Sequence, residues 1–227
     1  MTKNILLLLI LTTLSLLSAM TQTSHKILNP FSIDIDPMER LMLVNFEKDP
    51  DTLYVGFEPQ VFNDEINGTG HLVIGWRVDG KVDVYHQPGL TLNPEKYSIA
   101  GKGLAHMLER EMPEALFEIT DSGIHAFYEF SDIHNRLVRF SIRENNPRKR
   151  NPFGLIAPMG HAAESPSALP LVILHDFYFV RKKHTEISIS IGDRLHRHDI
   201  LPIRMDGTKM TFLRYSPDLY VAGINPA

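Results

Sequence analysis

A His–Asp pair interrupts an apolar stretch in the second half of the chain. His175 and Asp176 stand within residues 171–180, whose other members are all apolar or aromatic. Such a strand is expected to be buried on both faces, so the pair must be hydrogen-bonded or face a cavity. A carboxyl group in an apolar pocket has a raised pKa, which suits a general acid at neutral pH. Asp176 is the candidate acid or base, and His175 is its candidate partner.

The segment before this pair, residues 147–170, supplies two further candidates. It contains five prolines, which exclude long regular elements, but it is rich in apolar residues. We therefore predict a long Pro-rich loop packed across a pocket mouth. His161 is a second candidate partner for Asp176, and Glu164 is a candidate orienting group. The alternative is that Asp176 is bonded to the backbone and only shapes its strand.

Four aromatic residues and one histidine are candidate walls of a ligand pocket. They are Trp76, which is the only tryptophan, and Tyr85, His86, Phe127 and Tyr178. The alternative for the aromatic residues is a place in the core. For His86 the alternative is a hydrogen-bonded histidine at a strand end.

Composition excludes several other chemistries. The chain has no Cys, which rules out disulfides, thiolate zinc sites and iron–sulfur clusters. Among its 11 His, the pair His196 and His198 could share a strand face, but flanking arginines repel a cation. We predict no metal and no cofactor. The formal net charge of −4 argues against nucleic acid as a partner.

Two basic runs carry no predicted chemistry. Residues 148–150, Arg-Lys-Arg, open the Pro-rich segment, and residues 181–183, Arg-Lys-Lys, follow the apolar stretch that holds Asp176. We interpret the second run as a solvated strand end.

Alternating apolar residues predict a β-hairpin over residues 72–86. Asp79-Gly80 is typical of a two-residue turn, but that turn would set Trp76 opposite Asp83. A three-residue loop with Gly80 in a left-handed conformation produces one apolar face, so we predict that loop. Its register pairs Trp76 with Val82, Ile74 with Val84, and Leu72 with His86.

The same alternation predicts most of the remaining elements. Strands are expected at residues 31–35, 41–46, 53–57, 117–119, 124–130, 138–142 and 187–191, with a last hairpin around Asp206-Gly207. Residues 103–112 instead place Leu104, Met107 or Leu108, and Met112 on one helical stripe that Pro113 ends. We predict an all-β fold, an antiparallel barrel or sandwich with one short helix and a long Pro-rich loop.

The chain begins with the pattern of a secretory signal peptide. Lys3 precedes a continuous apolar run, and Ala19 and Thr21 fit the small-residue positions of a cleavage site. We predict a signal peptide over residues 1–21, with an uncleaved anchor as the alternative, and a single β-rich domain over residues 22–227. The protein is expected in the periplasm or secreted, without a stable membrane span once the leader is removed.

These features together resemble a known group of proteins. An exported, Cys-free chain of many strands, with a Gly75-Trp76 hairpin, resembles the lipocalin-like bacterial β-barrel proteins of the carotenoid hydratase and AttH type. The resemblance implies a cavity for an apolar or amphipathic small molecule. It carries over no catalytic residue.

Three functions remain open from the sequence. The first is a binding protein for an apolar or amphipathic small molecule. The second is a hydratase, isomerase or hydrolase that uses the Asp/His pair on such a ligand. The third is an envelope interaction protein without a cavity. The oligomeric state is not predicted.

Overall fold

The computed structural model describes most of the chain after its first 31 residues. The described residues are 32–35, 38–98, 100–158, 171–181, 183–199 and 208–216, with backbone alone in 32–35, 38, 151–158, 171–177 and 208–216. Within these ranges, no helix is long and apolar enough to cross a membrane. His161 and Glu164 lie outside the described residues.

The described chain consists of fifteen strands and one 3-10 turn. The elements are β1 (Ser32–Ile35), β2 (Met38–Met42), β3 (Val44–Asn45), β4 (Tyr54–Asp64), β5 (Gly68–Arg77), β6 (Val82–His86), the 3-10 turn (Pro94–Lys96), β7 (Leu104–Glu109), β8 (Leu116–Thr120), β9 (Gly123–Ser131), β10 (Leu137–Glu144), β11 (Asn151–Pro158), β12 (Leu171–Tyr178), β13 (Thr185–Ile191), β14 (Arg194–His196) and β15 (Thr208–Ser216).

The strands form two sheets. The larger sheet has ten strands in the order β11-β15-β12-β2-β4-β5-β6-β7, with β1 beside β12 and β3 beside β4. The smaller sheet has the order β14-β13-β10-β9-β8 and is antiparallel throughout. The all-β prediction is confirmed. The expectation of purely antiparallel pairing is wrong, since β12 runs parallel to β1 and β2, β6 to β7, and β11 to β15.

The larger sheet is buried on both faces over β5 and β6. A first hydrophobic cluster joins it to the smaller sheet, where Phe140 stacks on Phe57 with ring centres 5.4 Å apart. A second cluster covers the opposite face, where Leu90 and Tyr97 of the β6–β7 connection pack with residues such as Ile74. Consecutive residues of these strands are therefore buried, since each face of the sheet packs against one of the two clusters.

The hairpin of β5 and β6 has the predicted register. Trp76 pairs with Val82, Ile74 with Val84, and Leu72 with His86. Gly80 has a φ of +83°, which is the left-handed conformation that the three-residue loop requires. The strand predictions at residues 117–119, 124–130, 138–142 and 187–191 are also confirmed, as β8, β9, β10 and β13.

The predicted short helix at residues 103–112 is wrong, and the reason is a β-bulge. Residues 104–109 form β7, which pairs in parallel with β6. The register shifts within this pair, so that Ala105 is an extra residue on β7. Leu104 and Met107 therefore pack on the second cluster, and Leu108 packs on the first. A bulge in a strand thus mimicked helical spacing.

The Pro-rich segment is less irregular than predicted. Residues 151–158 form β11, which ends the larger sheet and pairs only with β15 among the described strands. An edge strand tolerates proline because one row of its N–H groups needs no partner. The returning strand of the last predicted hairpin is β15, which lies between β11 and β12, whereas the turn and the outgoing strand of that hairpin lie outside the described residues. Residues 159–170 lie outside the described chain.

Candidate ligand pocket

A pocket of about 460 Å³ lies between the β8–β9 hairpin, the segment after β10 and the end of β12. We call it the basic pocket. Its lining residues are Ile119, Thr120, Asp121, Gly123, Pro147, Arg148, Lys149, Arg150, Tyr178 and Arg181. Four of these ten residues are cations and one is an acid, so the local composition is opposite to that of the acidic chain as a whole.

A buried carboxylate stands behind the pocket wall. Glu144 is the last residue of β10, and its side chain is fully buried. It accepts hydrogen bonds from the backbone N–H groups of Ile124, at 2.9 Å, and Arg181, at 2.7 Å, and it pairs with the guanidinium of Arg150. A buried charge is tolerated only with such partners. Glu144 therefore links β9 and β10 to the segment that follows β12.

Gly123 makes the approach of Glu144 possible. Its φ is +124°, and a Cβ added there would lie 2.2 Å from Oε2 of Glu144. Any larger residue would have to displace the carboxylate. The absence of a side chain at Gly123, the first residue of β9, therefore leaves room for the side chain of Glu144, the last residue of β10.

The two inner arginines are held by several contacts. Nη1 of Arg150 donates to the carbonyl of Phe179 at 2.6 Å, and its guanidinium lies 5.7 Å from the centre of the Tyr178 ring. The guanidinium of Arg181 donates to the backbone carbonyls of Asn146 and Arg148. These contacts fix the path of residues 146–150 along the pocket and place two buried cations in its wall.

The two outer cations are more exposed. The side chains of Arg148 and Lys149 form no hydrogen bond or ion pair within the described part of the chain. The pocket therefore has an inner pair of anchored arginines and an outer pair of solvated cations.

The structure brings one predicted wall residue to this pocket. Tyr178 lines it, with 9% of its surface exposed. Tyr85 lies fully in the first cluster, 2.5 Å from the hydroxyl of Tyr54, and burial raises its pKa. Trp76 packs on the second cluster, where its buried indole N–H has no hydrogen-bond partner among the described residues.

The remaining sequence candidates lie elsewhere or are described in part. Phe127 alternates with the core residues of β9 and pairs with Leu116 and Ser141, on the face away from the first cluster. Nδ1 of His86 donates to the carbonyl of Gln87 at 3.1 Å. His175 and Asp176 belong to β12, where only the backbone is described.

Sequence reasoning missed Glu144, Arg150 and Arg181. The prediction that Arg181 begins a solvated strand end is wrong, because Arg181 is 4% exposed. A signal was present: Val138, Phe140 and Ile142 form the inward face of β10, and Glu144 continues that alternation. A carboxylate at an inward position calls for a buried cation, and basic runs flank the next strands of the chain.

A second polar cluster ties β7 to the rest of the larger sheet. The buried carboxylate of Asp83 accepts from Tyr54 at 3.0 Å and from Nδ1 of His106 at 2.8 Å, and it pairs with Arg77. It is an Asp–His pair, the type that the sequence suggested for residues 175 and 176. His106 is 48% exposed at the edge of the sheet, and neither residue belongs to the basic pocket.

The described residues define an all-β protein of two sheets with a cation-lined pocket at one end. No three His, Asp or Glu side chains in the described ranges are grouped so that they could hold a metal ion. No protein-family model, curated protein or solved structure matches the chain.

Proposed function

We propose that this protein is an exported binding protein that holds an apolar or amphipathic small molecule in the basic pocket. The observation that carries the proposal is the pocket itself. Its volume of about 460 Å³ lies in the range typical of small-molecule sites, roughly 300 to 1,000 Å³. Ile119, Pro147 and Tyr178 provide apolar surface, and the cations provide a polar end.

The contacts around Glu144 support this role because they fix the pocket before a ligand arrives. Three donors on different elements bind the carboxylate of Glu144. The guanidinium groups of Arg150 and Arg181 contact four residues, which are Glu144 through its side chain and Asn146, Arg148 and Phe179 through their backbone carbonyls. A site that is already ordered loses less conformational entropy on binding.

The architecture is consistent with the proposed class. The first cluster lies between the two sheets, as the core of a sandwich or a flattened lipocalin-like barrel would. Export is supported by the leader pattern over residues 1–21. Fractionation of the host cell, with mass analysis of the N-terminus, tests export: a mature chain that begins near residue 22 outside the cytoplasm supports it, and a full-length cytoplasmic chain contradicts it.

A matched pair of substitutions on β8 tests the location of binding. Ile119 lines the pocket and is 37% exposed, whereas Leu116 is 38% exposed on the same strand and does not line it. We expect 1-octanol to bind the full chain with affinity that Ile119→Ser lowers about 5-fold, since about 1 kcal/mol of apolar contact is lost. Leu116→Ser should bind like the unmodified chain. Equal affinities in all three proteins would contradict the proposed location.

The position of Asp176 in β12 favours a catalytic version of this function. Asp176 lies two residues before Tyr178 in β12, and Tyr178 lines the pocket. In that case the chain would hydrate, isomerise or hydrolyse its ligand. We expect Asp176→Asn to retain the ligand and to leave it chemically unchanged, whereas the unmodified chain would convert it. A folded Asp176→Asn protein that still converts the ligand would contradict this version.

A further inference from the structure

Cations outnumber acids among the described residues that line the basic pocket. Four of these residues are cations and one, Asp121, is an acid, while Glu144 lies behind the wall. Glu144 pairs with Arg150, so its negative charge is directed at the inner wall. Among the described lining residues, Asp121 is the one carboxylate that shares the pocket with the outer cations, Arg148 and Lys149.

The outer cations are the ones available to a ligand. The side chains of Arg148 and Lys149 are exposed and form no hydrogen bond or ion pair within the described part of the chain. In a partly enclosed pocket, a charge acts on a ligand more strongly than the same charge in water. These two cations therefore present a positive potential to a ligand that enters beside Tyr178.

We infer that the ligand carries an anionic group, a carboxylate or a phosphate, which binds beside Arg148 and Lys149, with its apolar part against Ile119 and Tyr178. The inference rests on the proposed function and names the chemical class of its ligand. Carboxylates and phosphates suit this site because guanidinium and ammonium groups donate charge-assisted hydrogen bonds to their oxygens. A fatty acid, a lipid phosphate or a free small anion would share this chemistry.

Three probes separate the contributions of charge and apolar surface. Octanoate and 1-octanol have the same chain length and differ in charge, and inorganic phosphate has charge without an apolar part. Calorimetric titration of the full chain at low salt is expected to show octanoate binding about 10-fold more tightly than 1-octanol, with phosphate weaker than octanoate. Raising the salt concentration should weaken the binding of octanoate and leave that of 1-octanol unchanged.

Two substitutions of opposite sign assign the effect to this pocket. Lys149→Gln removes an outer cation and should weaken octanoate about 5-fold, whereas Asp121→Asn removes the competing carboxylate and should strengthen it about 3-fold. Both substitutions should affect 1-octanol less than octanoate, because the hydroxyl group of 1-octanol carries no charge. Both side chains are exposed, so folding should be unaffected. Lys81→Gln, at an exposed position outside the pocket, is the matched control and should bind both probes normally.

The outcomes distinguish this inference from the proposed function. If octanoate and 1-octanol bind equally and Lys149→Gln affects neither, the inference is overturned while the binding function stands. If phosphate binds as tightly as octanoate and 1-octanol does not bind, the anion site is supported but the amphipathic ligand is contradicted. If no probe binds, both the inference and the proposed function are overturned.

Discussion

The β9–β10 hairpin ends in two buried ion clusters whose charges are opposite. At the turn between the strands, Arg136 lies between two carboxylates, those of Asp51 and Asp132, each at 2.8 Å. At the open end of the hairpin, Glu144 lies among the donors of Arg150 and Arg181. Each cluster connects the smaller sheet to a segment of the larger one. Among the described residues, the turn-end cluster has two carboxylates beside one arginine, and the pocket-end cluster has one carboxylate beside two arginines.

At the turn end, backbone N–H groups donate hydrogen bonds to both carboxylates in addition to Arg136. Asp132 accepts from the backbone N–H groups of His134 and Arg136, and Asp51 accepts from that of Leu53. Burial would raise the pKa of Asp51, but the hydrogen bonds from Arg136 and Leu53 hold it below its usual value. The same contacts, led by the hydrogen bond to Asp51, raise the pKa of Arg136. This cluster stabilises the fold.

At the pocket end, the outer cations face a cavity. The carboxylate of Glu144 is fully occupied, but the outer cations Arg148 and Lys149 remain on the pocket wall. Both clusters place a buried ion pair between the sheets, and backbone N–H groups donate to the carboxylates of both. They differ because, within the described residues, only the pocket-end cluster adjoins cations on a cavity wall, and the proposed anion site depends on that difference.

The largest effect is expected from breaking the pocket-end cluster. Glu144→Leu removes the buried carboxylate to which Arg150 and two backbone N–H groups donate, so the free energy of unfolding should fall by about 3 to 5 kcal/mol. Urea denaturation measures this. Glu118→Leu, at an exposed position of β8, is the control and should change it by less than about 0.5 kcal/mol. A loss below about 1 kcal/mol for Glu144→Leu would contradict the role of the cluster.

Displacing the Glu144 carboxylate with a larger neighbour should lower the free energy of unfolding by an amount at the lower end of that range. Gly123→Ala places a Cβ 2.6 Å from the Cβ of Glu144 at a φ of +124°, so we expect a loss of about 3 kcal/mol. Gly192 also has a positive φ, +58°, but an added Cβ there meets no atom within 4 Å. Gly192→Ala should therefore cost about 1 kcal/mol. Similar thermal unfolding of the two variants would show that the fit to Glu144 is unimportant.

The turn-end cluster can be broken in the same way. Arg136→Gln leaves the carboxylates of Asp51 and Asp132 without their shared cation. We expect a loss of about 2 kcal/mol, less than at Glu144, because Arg136 is partly solvated and backbone donors still serve both acids. Octanoate affinity in the folded variant should be unchanged. A weakened affinity would show that the two ends are not independent.

Between the two ends, an uncharged contact crosses the core. Nδ1 of His71 lies 2.8 Å from the hydroxyl of Tyr128, and burial lowers the pKa of His71 to about 4. The folded pKa is below the unfolded value, so this contribution is complete above about pH 6.5 and is lost as the pH falls towards 4. We expect a loss on the order of 2 kcal/mol, reduced by solvent access to the half-buried ring.

The matching variant for this contact is His71→Gln, which cannot titrate. Its unfolding free energy should decrease less than that of the unmodified chain between pH 6.5 and 4, by the amount that His71 contributes. Parallel pH profiles for the two proteins would contradict the assignment to His71.

The sequence was informative where pairing is local. The β5–β6 register follows from alternation and a glycine that must be left-handed, because a hairpin joins neighbours in the chain. Parallel pairings such as β6 with β7 join strands across long connections, and alternation does not specify a partner. The bulge at Ala105 shows how one extra residue can change the apparent period from strand to helix.

The candidate site was predictable only in part. The sequence identifies Tyr178 as a candidate wall residue, but the interpretation of residues 181–183 as a solvated strand end fails at Arg181. Arg150 and the backbone N–H of Arg181 both donate to Glu144, which comes from another strand. Only the inward position of Glu144 in the alternation of β10 pointed to that partner.

Native mass spectrometry of the full chain, purified from its own host without organic solvent, tests the central claim most directly. We predict a single co-purifying compound that appears as one added mass, that solvent extraction removes and that titrates as an anion. Less of this compound should co-purify with Lys149→Gln, whereas Lys81→Gln should retain the same amount as the unmodified chain. A protein that is free of any bound compound at every load, or one whose bound compound is neutral and unaffected by Lys149→Gln, would contradict the account of the basic pocket.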